Sequence, residues 1–431
     1  MARLPRNRRS RHLFNSPYII AMSANINQNL FDFIRQHKDE DPNSLRLRYH
    51  KTDADSWIHL AINHIEALKK SGRKFGDLQP ELMATPLSVE QASSAVIAKL
   101  HGKIAKAITT NVTSFLDMTC GLGIDFRAIS EGLGNNCRST AVELNPDLAY
   151  AANYNFRNIN HIRIIEENSI HFLENSTEHF DLIFIDPARR DSAGGRLYNI
   201  RDCQPDVISL IPIFREKASH VMVKLSPMLD VSRTLADLPC STLHVIDDGK
   251  ECREILAVMD FSEKGLSGTD IDNVPVTIHS GEHTTPFTFC RNMERRATPK
   301  FLTGIPTANQ WIFEPSPAAM KAAPFSLLCM KYDLYKLHQN THIYVADTPT
   351  EGLPGKWYRI NEVIPFSSSN IRHIAREKIK ADVAVRNFPL KAEELSHRIG
   401  ATPGGDMRII GVTCNDNSRI LIMLDKVAVS K

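Results

Sequence analysis

At 431 residues the chain is too long for one ordinary domain, and its 42% apolar and 23% charged residues exclude a disordered protein. No run approaches the roughly 18 apolar residues of a membrane span, and eight scattered cysteines without a C-x-x-C pair exclude a zinc ribbon or a disulfide framework and point to a reducing cytoplasm. The five arginines of residues 1–21 exceed the whole net charge of +3, so any nucleic-acid site elsewhere has to be a local patch.

Those arginines (Arg3, Arg6, Arg8, Arg9 and Arg11) precede Asn15, Ser16 and Pro17, which break any apolar core and make a poor secretory signal. Residues 1–21 are read as an unstructured or spurious extension with Met22 as the working start; an organelle presequence or a basic nucleic-acid arm is the alternative. From Asn29 to Ala107, apolar positions such as Ile58, Ile62, Ile65 and Leu68 recur at helical spacing and predict an N-terminal helical domain over 22–110. Within it, Ser88 to Gln91 has the spacing of a capping box and predicts a helix through Ala95, Val96 and Leu100.

Residues 111–262 alternate seven β-branched runs (VTSFLDM, STAVEL, HIRIIEE, DLIFID, HVMVKLS, TLHVID, EILAVMD) with helical segments, which predicts a doubly wound α/β domain. The last two runs flank Asp248 to Glu251 as a hairpin, so a mostly parallel, Rossmann-like seven-stranded sheet is expected to end in an antiparallel pair. A polar stretch after Asp260 predicts a boundary and a small α/β module over 263–322. A Pro-rich joint at 312–324 introduces the last region, 323–431. There the pattern predicts a helix near 326–337, a strand at His342–Ala346, a basic helix near 371–381 and a closing hairpin turned at Gly404, Gly405 and Asp406.

The strongest motif is Asp117-Met-Thr119-Cys-Gly121-Leu-Gly123, between the first predicted strand and a helix that begins near Asp125. Glycines let a backbone turn approach a ligand closely, and Asp117 offers a carboxylate to an amino-acid ammonium. Glu143 ends the second strand 20 residues past Gly123, where a carboxylate accepts ribose hydroxyls; Asn168 and Ser169 follow the third strand, near an adenine edge. A nicotinamide site is disfavoured because Phe126 stands where the third glycine of G-x-G-x-x-G belongs. The ordered set predicts S-adenosyl-L-methionine as the cofactor. Thr119 and Asp125 complete the expected binding residues, and no metal is called for.

Asp186-Pro187-Ala-Arg189-Arg190 ends the fourth strand, facing the transferable methyl in such a fold. Methyl transfer from a sulfonium requires alignment of the nucleophile and acceptance of its proton. The Asp186 carboxylate and the Pro187 carbonyl suit an exocyclic amine, as in the D/N-P-P-Y signature of amine-directed base methyltransferases. Here Ala188 and Arg189 depart from that signature, and Arg189 and Arg190 serve equally well as base-stacking groups or as structural ion pairs. Uracil-C5 chemistry is disfavoured, since Lys224-Leu-Ser-Pro227 offers no cysteine after the fifth strand; Lys224 is a candidate partner for phosphate or for Asp186.

With these residues in view, together with PLSVEQASS, FEPSPAAMKA, RNFP and GGD, the chain resembles class I methyltransferases with a C-terminal THUMP-like domain, from Asn29 to Val427. The resemblance implies a ferredoxin-like module over 263–322, a THUMP-like RNA-binding domain over 323–431 and RNA as substrate. Region 323–431 carries 15 basic against 11 acidic residues, and Arg372, Arg376 and Lys380, spaced by four, are expected on one helical face. The resulting expectation is methylation of a base nitrogen in tRNA or rRNA. The alternatives are a protein or small-molecule methyltransferase that uses the last module for partner binding, and a non-catalytic RNA-binding protein.

Overall fold

The computed structural model describes residues 28–51, 57–109, 111–189, 199–262, 270–281 and 285–425. The expectation for residues 1–21 lies outside them. The chain divides into two compact units, Met1–Thr177 and Glu178–Lys431.

In the first unit, helices α1 (28–37), α2 (Pro42–Arg48), α3 (Trp57–Ser71), α4 (Pro86–Gln91) and α5 (Ala95–Ile108) precede three βα repeats. The repeats are β1 (Ser114–Asp117) with α6 (Ile124–Leu133), β2 (Arg138–Glu143) with α7 (Pro146–Phe156), and β3 (Ile162–Glu166) with α8 (Ser169–Asn175). The strands run parallel in the order β1-β2-β3, with Asp117 beside Ala141 and Glu143 beside Glu166. Helical periodicity places Leu30, Leu45, Ile62 and Ile65 in one cluster with Ala151 of α7. Phe75, Leu78 and Ala98 join Leu122, Ile124 and Ala128 in another. The helical region over 22–110 therefore shares its core with the βα repeats, because its apolar faces find their partners on α6 and α7.

The capping box expected at Ser88 does not open a helix. Thr85 caps α4 by accepting the Ser88 N–H, the Ser88 hydroxyl donates back to the Thr85 carbonyl, and Ser94 caps α5. Two helices separated by an extended link stand where the spacing predicted one.

His64 of α3 is buried and accepts the Met83 N–H at Nδ1 (2.9 Å). Burial lowers its pKa from 6.5 to about 4. The unfolded chain binds this proton near 6.5 and the folded chain only near 4, so the contribution is complete above 6.5 and is lost as pH falls toward 4. The denaturant midpoint is expected to drop between about pH 7 and about pH 5. His64→Gln, which keeps an acceptor without titrating, is expected to reduce that drop; an unchanged slope would remove His64 as its source.

In the second unit, β4 (Phe180–Ile185), β5 (Ala188–Arg189) and β6 (Cys203–Gln204) lead to α9 (Val207–Lys217), β7 (Ala218–Leu225) and α10 (Val231–Asp237). The hairpin β8 (Thr242–Asp247) and β9 (Cys252–Asp260) follows, then β10 (Val276–Ser280) and β11 (Phe287–Phe289). The order is β4-β7-β9-β8-β10-β11, with β4 parallel to β7 and β9 antiparallel between β7 and β8. All seven predicted strand runs form strands. Residues 276–289, expected in a separate module, instead extend this sheet, because β10 runs parallel to β8 and β11 turns back on it.

After α11 (Arg291–Arg296) come β12 (Lys300–Phe301), β13 (Trp311–Pro315), α12 (Pro317–Ala322), α13 (Phe325–Tyr332), β14 (Tyr335–His338) and β15 (Thr341–Ala346). The chain continues through β16 (Gly355–Pro365), α14 (Ser368–Glu377), β17 (Lys380–Arg386), α15 (Ala392–Arg398), β18 (Thr402–Thr413) and β19 (Arg419–Asp425). These strands form an eight-stranded sheet ordered β12-β14-β15-β13-β16-β19-β18-β17. Its core combines Ile312, Val345, Tyr358, Ile410 and Ile422. Asp247, at the end of β8, joins the two sheets of this unit: its buried carboxylate accepts the Gly249 N–H, the Ser280 hydroxyl and the Ala318 N–H of α12.

The hairpin turn expected at Gly404 to Asp406 does not form. Gly404 and Gly405 lie inside β18, where its register against β17 slips between Lys380 and Ala381. Gly405 has φ +76, and a Cβ there would stand 2.7 Å from the Lys380 carbonyl oxygen. The glycines therefore permit a bulge, and the closing turn lies between Thr413 and Arg419.

Candidate functional site

The turn after β1 is a built feature. The buried Asp117 carboxylate accepts the Thr119 N–H (2.8 Å), and the Gly123 N–H closes the turn onto the Cys120 carbonyl (2.8 Å). Gly121 and Gly123 hold φ +56 and +77, values that side chains resist. A Cβ on Gly123 would press to 2.7 Å of the Phe156 ring, whereas one on Gly121 would enter open space, with nothing within 4 Å. Glu143, at the end of β2, fastens the turn: Oε2 accepts the Gly121 N–H and Oε1 the Asn145 N–H, each at 2.8 Å. Burial pushes the Cys120 thiol well above its usual range, so this cysteine is packing rather than a nucleophile.

The other predicted ligands of this unit are engaged in local structure. Asp125 accepts from the Ser93 hydroxyl (2.8 Å) and meets His101 Nδ1 (2.8 Å), tying α5 to the first turn of α6. Asn168 caps α8 by accepting the Ile170 and His171 N–H groups, and Ser169 is the first residue of that helix. Glu167 donates its N–H to the Glu143 carbonyl (3.1 Å), which holds the end of β3 against the end of β2.

In the second unit, Asp186 follows β4 and meets Lys224 of β7, whose Nζ donates to Oδ2 at 2.6 Å. The Lys224 side chain is 12% exposed and that of Asp186 38%, so the ammonium is mostly enclosed and the carboxylate accessible. Pro187 is buried, and the Arg189 backbone pairs with Cys203. Arg190 lies outside the described residues. Cys252, a neighbouring thiol in sequence, is pushed up to about 11 by burial, which leaves no ready thiolate for ring activation.

The basic run of the last module is distributed differently from the sequence expectation. Arg372 and Arg376 are exposed on α14, but that helix ends at Glu377 because Lys378 takes a left-handed conformation (φ +49). Lys380 begins β17 and does not share the helical face. Arg386 Nη2 donates to Glu314 Oε1 (2.6 Å), and Arg408 Nη2 donates to both Glu314 oxygens. Only the long-range pairing of β13 with its neighbours brings Glu314 to them, and no local sequence signal shows it.

Comparison with known proteins fits this geometry. Over 96% of this chain and the whole of the other, the structure is similar to the crystal structure of a proposed methyltransferase from Porphyromonas gingivalis W83, with a TM-score of 0.80 and 27% identity. The chain carries a methyltransferase domain of the same kind. Residues 311–354 of this methyltransferase match a ferredoxin-like domain family and residues 355–426 one described as THUMP domain-like. The ferredoxin-like match starts later than the module expected at 263–322, consistent with β10 and β11 pairing beside β8.

Two curated relatives, both tRNA1(Val) (adenine(37)-N6)-methyltransferases of Haemophilus influenzae, cover less. One, from strain ATCC 51907, is 35% identical over 77 residues, 17% of this chain and 33% of the relative. The other, from strain PittEE, is 32% identical over 104 residues, 23% and 45% respectively. The chain thus spans less than half the length of the curated relatives it matches.

The residues present suit S-adenosylmethionine. Gly121 faces open space where a side chain would intrude, Asp117 supplies a buried carboxylate for an ammonium, and Glu143 is already fixed at both oxygens by backbone donors. Among the described residues no helix is long and apolar enough to cross a membrane.

Proposed function

We propose that this methyltransferase works in the cytoplasm on structured RNA, tRNA or rRNA, and methylates a base nitrogen. The observation that carries the reading is the accessible Asp186 carboxylate, fixed by Lys224 at 2.6 Å and followed by Pro187. The THUMP domain-like match and the tRNA adenine-N6 activity named for the two relatives support RNA as the acceptor.

S-adenosylmethionine, when bound, supplies a methyl group already activated on a sulfonium. Asp117 takes its ammonium, Gly121 and Gly123 admit the methionine part, Glu143 accepts the ribose hydroxyls, and Asn168 and Ser169 border the adenine; Thr119 and Asp125 hold the turn. Asp186 and the Pro187 carbonyl accept the N–H groups of an exocyclic amine, which turns the nitrogen lone pair toward the donor. Asp186 then takes the proton that the methylated nitrogen releases. Lys224 keeps the Asp186 carboxylate in one orientation, while Arg189 and Arg190 receive the base or its phosphate. Arg372, Arg376 and Lys380 hold backbone phosphates away from the chemistry.

Nucleoside chromatography of RNA methylated by the enzyme tests the acceptor. An N-methylated base is expected; a C-methylated pyrimidine or a ribose 2′-O-methyl group as the product would contradict the role given to Asp186.

A further inference from the structure

Within the last module, three connections meet at a cleft of about 420 Å³, within the range of roughly 300–1,000 Å³ for small-ligand sites. His338 ends β14, Asn387, Phe388 and Pro389 follow β17, Asn417 precedes β19 and Arg419 begins it. None of the lining residues is acidic. The neighbouring Asp416 carboxylate is turned onto the Ser418 N–H and hydroxyl (2.9 and 2.6 Å).

The polar groups have defined roles. His338 Nδ1 accepts the Asn340 backbone N–H (3.0 Å), which puts the ring proton on Nε2 and makes the Asn387 amide the donor in its own 3.0 Å contact with Nδ1. Asn387 therefore presents its carbonyl oxygen and a second N–H, the bidentate complement of an adenine edge. It does so from φ +49, a conformation uncommon for a residue with a side chain. Asn417, also left-handed at φ +65, is exposed in the facing turn. The exposed Arg419 guanidinium has no ion-pair partner among the described residues. Phe388 packs edge-on against Phe366 (4.8 Å between centroids), and Pro389 exposes an apolar ring beside it.

An acid-free cleft with one exposed guanidinium, an oriented amide and an apolar ring matches a nucleotide: phosphate, base edge and base face each have a counterpart. We propose that it holds one unpaired adenosine of the RNA substrate, with Arg419 on the phosphate, Asn387 and Asn417 on the base edge and Pro389 against its face. This inference rests on the RNA reading above and adds a recognition site remote in sequence from Asp186.

The test is fluorescence anisotropy of full-length protein with short oligoadenylate and oligouridylate and with unfractionated tRNA. Oligoadenylate is expected to bind about tenfold more tightly than oligouridylate. Arg419→Gln is expected to weaken oligoadenylate binding about fivefold and to lower the salt slope by about one, and Asn387→Asp to abolish the base preference at unchanged melting temperature. Arg233→Gln on α10 is the control and should bind as wild type. If wild type binds oligoadenylate and both cleft variants bind it equally well, the cleft assignment is overturned and the RNA reading stands. Binding of tRNA without binding of either oligonucleotide also overturns the cleft. No binding of any of the three RNAs overturns the RNA reading and the cleft together.

Discussion

Asp186→Ala is expected to lower kcat by about a thousandfold while the Kd for S-adenosylmethionine stays within about twofold of wild type. The reasoning is geometric. Asp186 stands at the end of β4 with its carboxylate accessible and braced by Lys224. The binding turn and Glu143 belong to β1 and β2 and keep their own hydrogen bonds in the variant. In the proposed mechanism, loss of the carboxylate removes both the acceptor for the amine N–H and the group that takes its proton. Asp186→Asn keeps an oxygen at that place but cannot take the proton, so a smaller loss of about a hundredfold is expected. Lys224→Met should resemble Asp186→Asn, since the carboxylate remains without its brace. Equal activity of all three variants and wild type would strip Asp186 of its role.

Glu143→Ala is expected to weaken S-adenosylmethionine binding by about a hundredfold, with kcat at saturation little changed. One carboxylate accepts the Gly121 and Asn145 N–H groups at 2.8 Å each, so its removal frees the turn and discards the proposed ribose acceptor together. Hydrogen bonds to a charged acceptor contribute about 1.5–3 kcal/mol each, and tenfold in affinity corresponds to about 1.4 kcal/mol, so one such loss already approaches a hundredfold. Glu143→Gln retains one acceptor and should lose about tenfold. Calorimetric titration with S-adenosylmethionine reads both; a Glu143→Ala affinity equal to wild type would place the cofactor away from this turn.

The parts of the site that were legible in the sequence are those fixed by local spacing. Asp117, Gly121 and Gly123 fall at the end of a strand and in the following turn, and Glu143 closes the next strand, because a βα repeat has a nearly constant length. The Lys224–Asp186 pair was also foreseeable, since both residues end strands of one parallel pair. What the sequence did not reveal depends on non-local pairing or on a single backbone torsion. The assignment of 276–289 to the sheet rests on β10 choosing the edge of β8, which no local pattern encodes. Lys380 left the helical face because Lys378 adopts φ +49, a conformation that lysine does not announce. Gly404 and Gly405 looked like a hairpin turn because a bulge and a turn demand the same residue. The ion pair of Arg386 with Glu314, at 2.6 Å, likewise joins residues 72 positions apart and has no local signature.

The most direct measurement is transfer of labelled methyl from S-adenosylmethionine to total RNA from a strain lacking this protein, by wild type beside Asp186→Ala, followed by ribonuclease. Label incorporated by wild type, released by ribonuclease and lost in Asp186→Ala is the expected result. Wild type that binds S-adenosylmethionine tightly yet places no label in any RNA would contradict an RNA methyltransferase and direct the search to a protein or small-molecule acceptor.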